Sequence, residues 1–82
     1  MMSDRLILKG ALHEKKRDRM TLATRAQGVI TGLKHIIQPA SVMPLKDLKT
    51  DLALELVTEL HRIRHEYLKV SADVDELERE LE

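Results

Sequence analysis

The sequence predicts an all-α protein: a single domain over residues 1–82, folded as an antiparallel, coiled-coil-like two-helix hairpin. Tyr67 is the sole aromatic residue, so a core must come from aliphatic side chains and methionine, as in helix bundles. The concentrated helix breakers, Pro39 and Pro44, lie between two long stretches without proline. In both stretches apolar residues recur at spacings of three and four, the period of a packed helix.

The first helix is predicted over residues 4–37, with Ser3 as its N-cap. Its loop-proximal half has a regular apolar seam, formed by Leu22, Ala26, Val29, Leu33 and Ile36. The other half is less regular. Residues 4–10 alternate enough to allow an extended segment ending at Gly10. Residues 13–19 are all polar, so the helix is either exposed there or covers its partner with the stems of long side chains.

A loop is predicted over residues 38–43, and a second helix over residues 44–82 with Pro44 in its first turn. This helix has the clearest period in the chain. Its seam steps by three and four through Leu60, Ile63, Tyr67, Val70, Val74, Leu77 and Leu81. We therefore expect one continuous helix with coiled-coil spacing.

The loop-proximal half has more apolar surface than one partner helix covers. Small domains need additional burial to be stable, so we expect a homodimer that forms a four-helix bundle. Leu54 and Val57 widen the apolar stripe of the second helix and are candidate interface residues. Gly28 and Gly32, four residues apart, mark either a close helix crossing at this interface or weak points that the helix tolerates.

The charges are balanced in total, 14 Lys and Arg against 14 Asp and Glu, but they are separated along the chain. The first half is basic, and six of the last ten residues are acidic. The candidate nucleic-acid-binding cluster consists of Lys9, Lys15, Lys16, Arg17, Arg19 and Arg25. Such a cluster can hold phosphates. An ordinary solvent-exposed helix face would also account for this cluster. No aromatic residues lie between the basic ones to stack on bases, which weighs against nucleic-acid binding.

Histidine and acidic residues suggest chemistry only weakly. His61 and His65 share a helix face at the spacing of a metal-binding pair, but the heptad frame directs them to solvent. An acid–base set of Asp18, His65, Glu66 and Tyr67 would need a water-excluding pocket, which a hairpin does not provide within one chain. We therefore predict no catalytic residues, no metal site and no cofactor.

The absence of cysteine excludes disulfides and allows a reducing compartment. The longest apolar runs have three residues, as in Leu6-Ile7-Leu8, far from the length of about 20 that spans a membrane. These features predict a cytoplasmic protein that does not interact with membranes.

Three segments carry a resemblance to a known family: Arg5-Leu6-Ile7-Leu8-Lys9-Gly10, Glu14-Lys15-Lys16-Arg17-Asp18-Arg19 and Asp75-Glu76-Leu77-Glu78-Arg79-Glu80-Leu81. Together they resemble small proteins encoded in the early regions of Mu-like transposable phages and their prophages. The resemblance implies a bacterial cytoplasmic setting and a phage-related role, and it implies no mechanism. The function predicted from the whole sequence is a non-enzymatic interaction or adaptor protein, which presents a charged helical surface to a protein partner. The alternative is nucleic-acid binding through the basic cluster.

Overall fold

The computed structural model describes residues 4–82, which form two long helices packed against each other. Helix α1 spans Asp4–Ile37 and helix α2 spans Thr50–Leu81. No strand occurs within these described residues. The all-helical hairpin that the sequence predicts is therefore confirmed, while the predicted N-cap Ser3 lies outside the described residues.

The two helices run antiparallel along a rod of 68 × 16 × 14 Å. At the end where α1 begins, Arg5 contacts the backbone of Leu81. Further along, Lys15 pairs with Asp73. We call the end near Arg5 and Leu81 the open end, and the end near residues 38–49 the loop end. Among residues that face each other across the hairpin, the residue number therefore rises along α1 as it falls along α2.

The connection between the helices is longer than predicted, because α2 begins at Thr50 rather than at residue 44. Residues Gln38–Val42 and Leu45–Asp47 each form a short 3-10 helix. Pro44 has a ψ of 143°, which is extended rather than helical, and its carbonyl accepts a hydrogen bond from Asp47 N–H at 2.9 Å. Leu48 is also extended, with a ψ of 134°. Pro44 thus starts a tight turn, and the α-helix follows only after a second bend.

The core lies along the predicted seams. In α1 the seam residues Leu22, Val29 and Leu33 are buried, and Leu22 is only 5% exposed. They form one cluster with Ile63 of α2, which is 3% exposed. Half-buried side chains complete this cluster: Ala26, Ala53, Leu56, Leu60, Tyr67 and Val70. The spacing of three and four in the sequence therefore identified the packed side of each helix.

The polar stretch of residues 13–19 continues the packing with charged side chains. Counted back from Leu22 in steps of three and four, Lys15 and Arg19 take the seam positions. Both are partly buried, whereas Arg17 is exposed. The facing part of α2 contains Val74, which is just 1% exposed although it lies outside the main core cluster. Long Lys and Arg stems therefore cover the seam here while their charged ends reach water.

The open end is helical from Asp4 onward, which excludes the extended alternative for residues 4–10. Gly10 lies inside α1, and no glycine in the described chain has a positive φ. The helix therefore tolerates Gly10 as a weak point and does not use it for a turn.

Candidate functional site

The basic cluster is partly neutralised by acids of α2. Lys15 Nζ lies 3.4 Å from a carboxylate oxygen of Asp73, and Lys16 Nζ lies 3.3 Å from one of Glu78. All four side chains are between 41% and 49% exposed, so water screens both pairs. The acidic C-terminal part of α2 thus lies beside the basic part of α1, as antiparallel folding requires.

The six cationic residues of the cluster do not form one surface. At about 100° per residue, Lys16 and Arg25 lie on opposite sides of α1. Arg25 lines a groove together with Glu59, Arg62 and Glu66 of α2. Lys9 and Arg17 are exposed at the open end. The sequence placed these charges close together along the chain, but the helix distributes them around its axis.

One side of the hairpin is charged. Two grooves along it are lined by Asp18 and Arg25 from α1 and by Glu59, Arg62 and Glu66 from α2. We call these five residues the charged face. Along α2, Arg62 lies between Glu59 and Glu66, and the seam residues Leu22 and Ile63 form the floor of the grooves.

The middle of the opposite side is mostly apolar, with Gln27 and Arg64 as the polar residues of its groove. Ala23 lies about 200° around α1 from Arg25, and Arg64 lies about 200° around α2 from Arg62. A groove of about 360 Å³ on this side is lined by Leu22, Ala23, Ala26, Gln27, Leu60, Ile63, Arg64 and Tyr67. At its border along α2, Val57 is 49% exposed and Leu68 is 47% exposed. We call Ala23, Ala26, Val57, Leu60, Tyr67 and Leu68 the apolar face.

The four predicted interface residues lie on different sides of the hairpin. Val57 belongs to the apolar face, and Leu54, at 67% exposed, points away from α1. Gly28 lies about 200° around α1 from Ala26, on the side of the charged face, and has open space where a Cβ would be. A Cβ on Gly32 would lie 3.5 Å from Leu56 Cδ1 of the same chain. Gly32 therefore contacts the other helix of its own hairpin.

The residues considered for acid–base or metal chemistry are dispersed. Asp18 and Glu66 line one groove, whereas Tyr67 lines the groove on the other side of the hairpin. His61 and His65 are both exposed on the outer surface of α2. In residues 4–82 no three His, Asp or Glu side chains come together as a metal-binding group.

A second apolar hollow, of about 330 Å³, lies at the loop end. It is lined by Gly32, His35, Ile36, Pro39, Met43, Lys49, Leu52 and Leu56. Sequence reasoning missed this hollow because it depends on the late start of α2. The apolar face was also missed as a unit, although Ala23, Leu60 and Val57 lie to one side of the two seams in the sequence.

Neither described helix contains an apolar stretch long enough to cross a membrane. In comparisons with known proteins, no family model matches the chain, and no curated protein or solved structure shows significant similarity to it.

Proposed function

We propose that this protein is a non-enzymatic helical adaptor, which dimerises into a four-helix bundle and presents a charged helical surface to a protein partner. The observation that carries the proposal is the division of the hairpin into an apolar face and a charged face on opposite sides of one seam. The apolar face suits burial against another copy of the chain, and the charged face suits recognition of a partner in water.

The small core supports dimerisation. In the described part of the chain five hydrophobic side chains are buried: Leu22, Val29, Leu33, Ile63 and Val74. A hairpin of this size gains little free energy from so few side chains, and covering the apolar face would add to the core. Half-exposed Val57 and Leu68 would then become part of a continuous bundle interior.

The charged face supports the adaptor role. It remains accessible when the apolar face is covered, and its side chains are carried by two long helices rather than by loops. Arg25 and Arg62 lie between Glu59 on one side and Glu66 and Asp18 on the other, so the surface would recognise a partner by its pattern of charges rather than by its net charge. We expect a protein partner with a complementary row of charges.

The resemblance of residues 5–10, 14–19 and 75–81 to early proteins of Mu-like phages supports a phage- or prophage-encoded adaptor in the bacterial cytoplasm. Under this proposal the partner is a phage or host protein.

Nucleic-acid binding is the second candidate, and the exposure of Lys9 and Arg17 at the open end favours it. The ion pairs of Lys15 and Lys16 with α2 weigh against it, because phosphates would have to compete with the carboxylates of Asp73 and Glu78. Recognition would resemble that of small dimeric hairpins that hold RNA on a helix face.

Titration into labelled duplex DNA and structured RNA, at low and at physiological salt, separates the two candidates. The adaptor proposal expects no binding at physiological salt. Affinity whose logarithm falls linearly with the logarithm of salt, and which disappears when Lys15, Lys16, Arg17 and Arg19 are replaced with Ala, would establish the nucleic-acid candidate instead.

Partner binding is tested with a charge-reversed surface. Cross-linking in cell extract is compared for the wild type, for Arg25→Glu/Arg62→Glu on the charged face, and for Lys46→Glu/Lys69→Glu as a control with the same change in net charge. Loss of the cross-linked partner in the first variant alone supports the charged face as the binding surface. Equal retention in all three proteins contradicts it.

A further inference from the structure

We propose that the apolar face is the self-interface of a two-fold dimer in which both loops lie at the same end, so that α1 of each hairpin packs against α2 of its partner. This inference rests on the proposed dimer and specifies its surface and its orientation. It assigns the partner of the apolar face as a second copy of this chain.

Two isologous arrangements bring the apolar faces of two hairpins together. If the two-fold axis runs along the rod, the loops lie at the same end and α1 faces the partner's α2. If the axis runs across the rod, the loops lie at opposite ends, and each helix faces the same helix of the partner. The apolar groove between Ala23 and Tyr67 is compatible with both, so charge decides between them.

Charge favours loops at the same end. Helix α1 contains eight Lys and Arg residues and three acids, whereas α2 contains four and nine. The net charges are therefore +5 and −5. Packing α1 against α2 of the partner joins opposite charges along the whole rod, whereas the other arrangement joins like charges in both pairs of helices.

The charged side chains at the open end also favour the arrangement with both loops at the same end. The ion pair of Lys16 and Glu78, 3.3 Å apart, lies on the side of the hairpin that carries the apolar face, by the angle of each residue around its helix. Lys9 lies near Lys16 around α1, and Asp75 lies near Glu78 around α2. With the loops at the same end, Lys9 and Lys16 lie level with Asp75 and Glu78 of the partner subunit.

Overlap does not separate the two arrangements. Leu60, at the centre of the apolar face, lies about 33 Å from Glu82 in a rod of 68 Å, so the face is centred on the rod. Two hairpins then overlap over most of their length in either arrangement, and charge alone favours loops at the same end.

The chain has no cysteine, so a single introduced cysteine carries one spin label per subunit. We would label Glu82→Cys at the open end and measure the distance between the two labels by double electron–electron resonance, on a sample whose mass is determined by light scattering. Loops at the same end give a distance below about 35 Å. Loops at opposite ends give about 65 Å, since Glu82 is 22 residues along the rod from Leu60 at the centre of the apolar face.

Thr58→Cys is the matched control, because residue 58 lies near the centre of the apolar face along the rod. Its label pair gives about 20 to 40 Å in both arrangements and shows that dimers are observed. A dimeric mass with a long Glu82 distance overturns the orientation and leaves the dimer intact. A mass of 9.4 kDa overturns the dimer itself, and this inference with it.

Discussion

The guanidinium of Arg5 donates a hydrogen bond to the backbone carbonyl oxygen of Leu81 at 3.1 Å, across 76 residues of sequence. This contact joins the first turn of α1 to the last turn of α2. The last carbonyls of a helix have no partner within the helix, and a cation is favoured near this negative end of the helix dipole. The Arg5 side chain thus links the two helices at the open end of the hairpin.

Replacing Arg5 with Ala should loosen the last turn of α2 without unfolding the hairpin. An exposed contact of this kind contributes on the order of 0.3–1 kcal/mol. Amide hydrogen exchange should therefore accelerate near Leu81 and stay unchanged around Ile63. Arg79→Ala is the control, since Arg79 is a cation in the same last turn. Equal acceleration in both variants would attribute the effect to the dipole alone and not to the Arg5 contact.

Leu22→Ala should destabilise the hairpin strongly, because Leu22 is 5% exposed and belongs to the main core cluster. Truncating a buried leucine costs about 2–5 kcal/mol. Met20→Ala, two residues away on α1, removes a side chain that is 71% exposed and should change the free energy of unfolding by less than about 0.5 kcal/mol. Urea denaturation followed by circular dichroism measures both. Similar losses in the two variants would contradict the assigned packed side of α1.

The seams were predictable from the sequence because Leu22, Val29 and Ile63 recur at the period of a helix, and that period determines which side is buried. The start of α2 was not predictable in the same way. From the sequence, Pro44 is compatible with a first helical turn and with a 3-10 turn, and the extended ψ values of Pro44 and Leu48 in the structure exclude the longer helix. Where a local sequence is compatible with two backbone conformations, the packing of the whole chain determines which one forms.

The candidate site, too, could be predicted only in part from the sequence. Lys15, Lys16 and Arg17 are neighbours in the sequence, but successive residues of a helix point about 100° apart, so they enter three environments. Lys15 covers the seam with its stem and pairs with Asp73, Lys16 pairs with Glu78, and Arg17 is exposed. The sequence predicted a basic cluster, and the structure resolves it into side chains with separate contacts.

Gly28→Ala should stabilise the protein. Gly28 lies inside α1, has no positive φ, and leaves open space where a methyl group would be added. Replacing an interior helical glycine with alanine gains about 0.5–1 kcal/mol, which raises the melting temperature by several degrees in a domain of this size. Gly10→Ala, also without a neighbour within 4 Å, is the control and should behave alike. If Gly28→Ala weakened the dimer and Gly10→Ala did not, this result would place Gly28 in the oligomer interface.

Val57→Lys combined with Leu68→Lys should dissociate the proposed dimer, because two ammonium groups would be buried in the apolar face without partners. We expect the dissociation constant to rise at least tenfold, with the helical content preserved. Thr58→Lys/His65→Lys adds the same number of lysines on the outer surface of α2, which faces away from α1, and should leave the dimer intact. Sedimentation equilibrium measures all three proteins. Unchanged association of the first variant would exclude the apolar face as the interface.

Asp73→Asn combined with Glu78→Gln should test whether the acids of α2 shield the basic cluster. Both carboxylates pair with lysines of α1, so neutralising them leaves the charges of Lys15 and Lys16 available to phosphate. If the cluster has any nucleic-acid affinity, this variant should bind RNA at low salt at least fivefold more tightly than the wild type, with a steeper dependence on salt. Asp51→Asn/Glu55→Gln changes the net charge equally but lies toward the loop end, and it should have a smaller effect. An equal gain in both variants would mean that only net charge matters. No gain in either would remove the nucleic-acid candidate and strengthen the adaptor proposal.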